Sequence, residues 1–482
     1  MNLGFEQKNK KQLKNTIFEN FLTEDKEAES NRLYKLYFVF GLTLGIIFSL
    51  LIPIRTVPDE TYHIVQSYEV SNIIMGTSSR DGYCMMRNDD RLNYLQTTRY
   101  SKQQYLEYWK DIGKPLGDGE MSVFDKPLMK VVKPLYPYFI SGLGITIGRL
   151  LGLGTLLTFY LGRWLNLIFF VICGEITLRI IPFTKNLMFV ILLLPMTIQQ
   201  GMSYSYDMLV IAISLLSTAM FLKLNYCDLL SQKERITGII ALFILCLLLV
   251  PLKSHAYILF ILLPIYTLIY SFGGNKKQLI YKASRITLLI LVLAVLIFWI
   301  LAWRIPQIVP EKPGFIAWAN EPGFSISVIL HNPYRILKEY IFTFLAMGEF
   351  HFGTMLVGTS LGSLDVNLPG VYMFCYLAIM FIAAFKSESS SIQLRRSTKE
   401  LFLFVSVMTV LAIATGMLVS WTPLSYTQIQ GIQGRYYLPV VFLILILLNN
   451  DRIRVSTKFQ NRIPIAVILL DIIETFSILA LA

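Results

Sequence analysis

Charge is what this chain has least of. Only 15% of its 482 residues are Asp, Glu, Lys or Arg, against roughly 25% in soluble domains. With 55% hydrophobic residues and a mean hydropathy of +0.57, that shortfall excludes an ordinary soluble fold. Cysteine is sparse too. Cys84, Cys173, Cys227, Cys246 and Cys375 show no motif spacing, which excludes a disulfide framework and leaves five free thiols. Polar tracts are too short for a disordered chain, no heptad pattern dominates, and no internal repeat of the kind found in many secondary transporters is visible. The net charge of +12 is not gathered into a stripe, so nucleic acid is not the partner it indicates. Lys and Arg sit instead in short loops between apolar runs, the pattern of a chain threaded through a lipid bilayer.

Those runs lie at about 34–54, 134–153, 157–180, 186–201, 204–222, 236–252, 255–272, 286–304, 369–385, 400–420, 436–449 and 463–482. A helix needs about 20 residues to cross a hydrocarbon core of about 30 Å, so the chain reads as an all-α polytopic membrane protein. The Lys-rich arm 1–33 precedes a first span, 34–54, with the character of an uncleaved signal anchor. The arm and the short basic loops around Lys233, Lys276, Arg395 and Arg454 are all predicted to be cytoplasmic. Twelve crossings would put the arm and the later loops on opposite sides, so one run must not span. The run 134–153, rich in Gly, broken by Pro134 and Pro137 and interrupted by Arg149, is that one. Eleven spans remain. An external loop with a juxtamembrane helix occupies 55–153, spans 2–7 occupy 157–304, a second external loop covers 305–368, and spans 8–11 cover 369–482.

Under this topology the ionisable residues gather at the external face. All four histidines, His63, His255, His331 and His351, fall on or near it. Lys253 and Arg435 break the positive-inside bias at single positions in otherwise neutral external loops, for which an anion is the economical explanation. The segment Val57-Pro58-Asp59-Glu60-Thr61-Tyr62-His63 follows the first span. Pro followed by two acids is how many helices begin, but a helix starting there also sets Asp59 and His63 on one face, where a carboxylate can take a proton from a hydroxyl. Two such groups are too few to specify a metal, so none is assigned and a divalent cation stays an open requirement. Lys133 and Tyr136 open the surface-lying run, either as an interfacial anchor or as a clamp for a lipid phosphate. Arg163 lies near the outer end of its span. Asp207, the group Lys253, His255 and Tyr257, Asp365, and the pair Arg435 and Tyr436 complete the candidates, although Asp207 or Asp365 could simply cap a helix. Glu175 and Arg179 read as a helix ion pair, and Asp471 and Glu474 sit inside the last run.

The Pro58-Asp59-Glu60 and His63 pattern, Lys253 to Tyr257, Leu361-Gly362-Ser363-Leu364-Asp365 to Pro369, and Gln433-Gly434-Arg435-Tyr436-Tyr437-Leu438-Pro439 resemble the bacterial membrane family called domain of unknown function 2142. The resemblance covers about residues 34–449. Ser363 departs from it, standing where that family usually has Trp. The family is in turn similar to the GT-C glycosyltransferases, integral membrane enzymes with an acidic residue in the first external loop that use polyprenyl-phosphate sugars. The resemblance implies a GT-C-like bundle in the bacterial plasma membrane, with the N-terminus cytoplasmic and the site external. It implies transfer of a sugar from a polyprenyl-phosphate donor to a cell-envelope glycopolymer or glycolipid. By it Asp59 corresponds to the loop acid and acts as base, with Glu60 beside it. Lys133, Arg163, Lys253 and Arg435 are assigned to the donor phosphate by position and charge. Trp303 and Trp318 are candidates for stacking on the acceptor. The competing expectations are a transporter or flippase for a lipid-linked saccharide, or a non-catalytic subunit of an envelope-polymer assembly. Mid-span positions nearly free of ionisable residues weigh against the transporter.

Overall fold

A computed structural model describes residues 32–77, 79, 81–92, 109–123, 129–227, 229–272, 314–357, 361 and 366–481. Most of the Lys-rich arm 1–33, the expected span 286–304 with its loop around Lys276, Trp303 and Asp365 lie outside the described residues. The described chain is mostly helical.

Five stretches are long and apolar enough to cross a membrane: α1 (Arg32–Leu51), Thr155–Ile180, Asp207–Tyr226, Arg396–Trp421 and Thr457–Ala480. Three shorter apolar helical stretches, Ile258–Phe272, Val371–Ala384 and Gly434–Leu448, accompany them. After α1 the chain turns sharply into α2 (Glu60–Ile74). A short antiparallel pair, β1 (Met85–Arg87) with β2 (Met121–Val123), packs beside it. Next comes α3 (Phe139–Leu150), whose 12 residues rise about 18 Å, well short of a bilayer core. Gly144 and Gly148, one turn apart, bring α3 against α4 (Thr155–Ile180). A Cβ on Gly144 would stand 2.5 Å from the Gly162 Cα, and one on Gly148 would stand 2.8 Å from the Thr158 Cα. This is the small-residue spacing that lets helix backbones touch. α4 stops at Ile180, two residues before Pro182.

The expected span 186–201 is two helices. Pro195 has no N–H to continue the ladder, and Leu194 adopts extended geometry, so α5 (Lys185–Leu193) ends and α6 (Pro195–Met202) begins. Every residue from Leu187 to Leu194 is at most 1% exposed, so these two short helices form the centre of the core. α7 (Asp207–Tyr226) follows, and α8 (Gln232–Leu249) opens with a capping box in which Ser231 and Glu234 satisfy each other's backbone N–H groups. α9 (Leu262–Phe272) ends the first half.

In the second half a two-residue hairpin, β3 (Phe315–Ile316) with β4 (Glu321–Pro322), leads to α10 (Pro333–Ala346) and α11 (Gly348–Leu356). α12 (Val371–Ala384) and α13 (Arg396–Trp421) follow, then a 3-10 turn at Gly434–Tyr437 running into α14 (Leu438–Leu445), and α15 (Ile463–Leu481). β5 (Lys386–Ser387) and β6 (Arg454–Val455) pair in parallel between helix ends.

Candidate functional site

The sharp turn after α1 is built around one buried ion pair. The Arg163 guanidinium of α4 donates to both Glu60 carboxylate oxygens, through Nε at 2.8 Å and Nη2 at 2.6 Å, while Nη1 donates to the Ile52 carbonyl at 2.6 Å and Nη2 also to that of Pro53 at 3.0 Å. Glu60 also accepts the backbone N–H of Arg55 at 2.6 Å and of Tyr204 at 3.3 Å. Both side chains are fully buried. A carboxylate with four donors and a guanidinium with its carbonyls satisfied are committed to holding α1, α2 and α4 together.

That pillar leaves Asp59 turned outward. Asp59 occupies the N-cap position of α2 in the left-handed region, at φ 61°, yet its side chain makes no capping bond. Its carboxylate is 69% exposed and lies 3.6 Å from Arg435 Nη2. A helix does begin at these acids, as their order suggests, but the Asp59 side chain takes no part in capping it.

Three other stretches meet it. Asp207, the first residue of α7, holds Lys253 Nζ at 2.9 Å through Oδ1 and approaches Arg435 Nε at 3.6 Å through Oδ2. Lys253, Ser254 and His255 form a tight turn with φ of 48°, 51° and 68°, three consecutive left-handed non-glycine residues. Such geometry costs roughly 1–2 kcal/mol per residue and persists only where its surroundings enforce it. It sets the Lys253 ammonium 4.1 Å from the centre of the Tyr436 ring and 4.9 Å from that of Tyr206. Burial works against the Lys253 charge, but the Asp207 carboxylate, with Tyr206 and Tyr436, outweighs it and holds the ammonium above the ordinary lysine range.

Arg435 reaches the cluster from the 3-10 turn before α14. Gly434 lies so close to α11 that an added Cβ would collide with the His351 carbonyl, and its N–H donates to Thr354 Oγ1 at 2.7 Å. Tyr257 fixes the same turn by donating to the Tyr436 carbonyl at 2.8 Å. The Arg435 side chain is buried, yet its Nε and Nη1 have no hydrogen-bond partner among the described residues, nor has Asp207 Oδ2. Nε and Nη2 each face a carboxylate at 3.6 Å, Asp207 and Asp59, which leaves Nη1 as the buried donor with no acceptor among the described residues, the chemistry by which a guanidinium can receive a further anion.

His63 stands behind this cluster. Its Nδ1 is 2.9 Å from the Tyr138 hydroxyl, and the Tyr206 ring meets it edge-on at 5.3 Å. Burial pulls the imidazole down to about 3; Asp207 opposes this, while Lys253 and Arg435 reinforce it, so the ring is neutral at ordinary pH.

The structure thus brings together Asp59, His63, Asp207, Lys253, Tyr257, Arg435 and Tyr436. Glu60 and Arg163 lie beneath them, engaged with each other. Lys133 and His255 are exposed, and among the described residues no hydrogen bond or ion pair ties their side chains to the cluster; the Tyr136 hydroxyl donates to the Leu248 carbonyl. Tyr138 and Tyr206 belong to the sequence clusters that also hold Lys133 and Asp207, whereas Thr354 is not marked in the sequence, because a backing hydroxyl carries no charge signal. Asp59 and Asp207 do not suit a divalent cation, since Arg435 pairs with both. Among the described residues no group of three or more His, Cys, Asp or Glu is placed to hold one.

Five apolar helices of spanning length define a multi-pass membrane protein. More specifically, the chain belongs to the predicted membrane protein family DUF2142, whose sequence profile matches residues 42–444. No curated protein and no solved structure matches it significantly.

Proposed function

We propose that this protein is a membrane glycosyltransferase of the GT-C kind, moving a sugar from a polyprenyl-phosphate donor to a cell-envelope glycopolymer or glycolipid at the external face. The observation that carries the reading is Arg435, buried with Nη1 unpaired among the described residues, its Nε sharing the Asp207 carboxylate with Lys253 and its Nη2 facing the exposed Asp59 carboxylate. In this reading the five long helices, the three shorter apolar ones, the α5–α6 pair, α8 and the apolar run 286–304 make eleven crossings, and the polyprenyl tail stays in lipid while its phosphate reaches the ionic cluster.

The acceptor hydroxyl oxygen bonds to the anomeric carbon as the bond from that carbon to the phosphate oxygen breaks. Asp59 takes the hydroxyl proton, and the electron pair leaves on the lipid phosphate. Arg435 and Lys253 stabilise the growing phosphate charge in a partly dehydrated pocket, where such pairing is stronger than in water. A single displacement inverts the anomeric centre. His63 serves as a positioning residue, and the Glu60–Arg163 pair holds the loop that presents Asp59.

The test is purified protein in lipid with a synthetic polyprenyl-phosphate sugar and an acceptor glycan. Release of free lipid phosphate is expected, with a loss of about 10² to 10⁴ in rate for Asp59→Asn at unchanged membrane abundance. Movement of the intact donor between leaflets, its sugar linkage unbroken, would make the protein a flippase. Full activity of Asp59→Asn would remove that residue from the chemistry.

A further inference from the structure

A second polar knot lies where the first reading has no use for it, halfway along α15. Asp471 and Glu474 are three residues apart on one helix face and are 1% and 0% exposed. Asp471 stands eight residues into α15, about 12 Å along its axis, which is near the middle of a bilayer core of about 30 Å. Facing them is Tyr376 of α12, itself fully buried. Its hydroxyl contacts both carboxyls, Asp471 through Oδ1 and Glu474 through Oε2, the latter at 3.0 Å.

A phenol owns one hydrogen and can donate it to only one of those oxygens. The other contact is a hydrogen bond only if a carboxyl supplies the hydrogen. The outer oxygens, Asp471 Oδ2 and Glu474 Oε1, have no partner among the described residues, and no ion pair there involves either residue. α15 packs against α5 and α12. α5 carries Lys185 at its cytoplasmic-end first position, and α12 carries Tyr372, Cys375 and Tyr376, so neither element supplies a cation at this depth. Two adjacent carboxylates here would be two unpaired charges in a dry interior, an arrangement proteins avoid by retaining a proton.

We propose that Asp471, Glu474 and Tyr376 form an intramembrane proton-binding site, in which the carboxyl pair carries at least one proton at neutral pH. The ligand is the proton itself, and the site is separate from the ionic pocket of Asp59 and Arg435.

Two measurements on the full chain in lipid bilayers test this. Dicyclohexylcarbodiimide takes the proton of a carboxylic acid onto one nitrogen while the carboxyl oxygen bonds to its central carbon; the adduct rearranges to a stable N-acylurea, and ionised carboxylates resist the reagent. At pH 7 mass spectrometry is expected to find the adduct on Asp471 or Glu474, and infrared spectra to show a protonated-carboxyl C=O band that is lost in the Asp471→Asn/Glu474→Gln variant. Wild-type protein with neither adduct nor band would overturn the proposal, as would a band undiminished in the double variant. Should that variant not fold, the wild-type labelling decides, together with Tyr376→Phe, which keeps both carboxyls and is expected to keep the adduct.

Discussion

Glu60 and Asp59 are neighbours with opposite fates, and the difference is a matter of partners. Glu60 has every oxygen satisfied inside the protein, whereas Asp59 is held at the end of a long, 3.6 Å pairing with Arg435. Glu60→Ala is therefore expected to destabilise the fold by about 3–5 kcal/mol, because it strands a buried guanidinium, and to lower membrane abundance measured by quantitative blotting. The sequence marks Asp59, Lys253 and Arg435 through their position in the charge pattern. It does not reveal that Arg163 belongs to Glu60, since the two are far apart along the chain and meet only when α4 lies against the turn after α1. His63 offers a pH test. The unfolded chain takes up this proton near 6.5 and the folded one only near 3, so the stability at issue is present above 6.5 and is lost as pH falls toward 3. At pH 5 the loss attributable to His63 is about 2 kcal/mol. The fall in Tm between about pH 7 and about pH 5 is accordingly expected to be larger for wild type than for His63→Gln. Activity from pH 5 to 8 is expected to show no inflection from this ring.

Helices in this chain are placed by glycine and proline as much as by hydrophobicity. Gly144 and Gly148 let α3 lie directly on α4, so a larger residue there pushes against backbone, which cannot yield as a flexible side chain does. Gly144→Leu is expected to cost at least the 1–3 kcal/mol typical of overpacking, read as a lower Tm. Gly434→Ala drives a Cβ into the backbone of α11 and is expected to lower Tm, to shift the turn bearing Arg435 away from α11 and, on the proposed activity, to raise KM for the donor more than it lowers kcat. Ser254→Gly removes the strain of a left-handed non-glycine residue and is expected to raise Tm slightly, the gain being reduced by about 0.4–1 kcal/mol through greater freedom of the unfolded chain. The shortness of α3, 12 residues within the run 134–153, is suggested in the sequence by the glycines, prolines and Arg149 of that run. The division of 186–201 into α5 and α6 is not, because hydropathy alone is continuous across Leu194 and Pro195. The left-handed turn at Lys253–His255 is equally hidden: nothing in Lys, Ser or His asks for that geometry, and only packing imposes it.

At the scale of the whole molecule, apolar runs made the membrane class and most helices readable, while the ordering of sides rested on the bias of basic loops. The 26 residues of α4 rise about 39 Å, enough to cross with tilt. Single cysteines placed at Thr155 and Pro182 in a chain otherwise cleared of thiols are expected to label from opposite sides with a membrane-impermeant maleimide, Thr155 from outside. Labelling of both from one side would break the topology. Four segments separated by long stretches of sequence, around Asp59, Asp207, Lys253 and Arg435, meet in one ionic cluster. Arg435 is the last of these to leave the ribosome. A nascent chain that has already inserted its first spans holds two carboxylates and a lysine, but not the guanidinium that sits between the acids. On the proposed reading, competence for an anionic guest is therefore completed only late in chain synthesis.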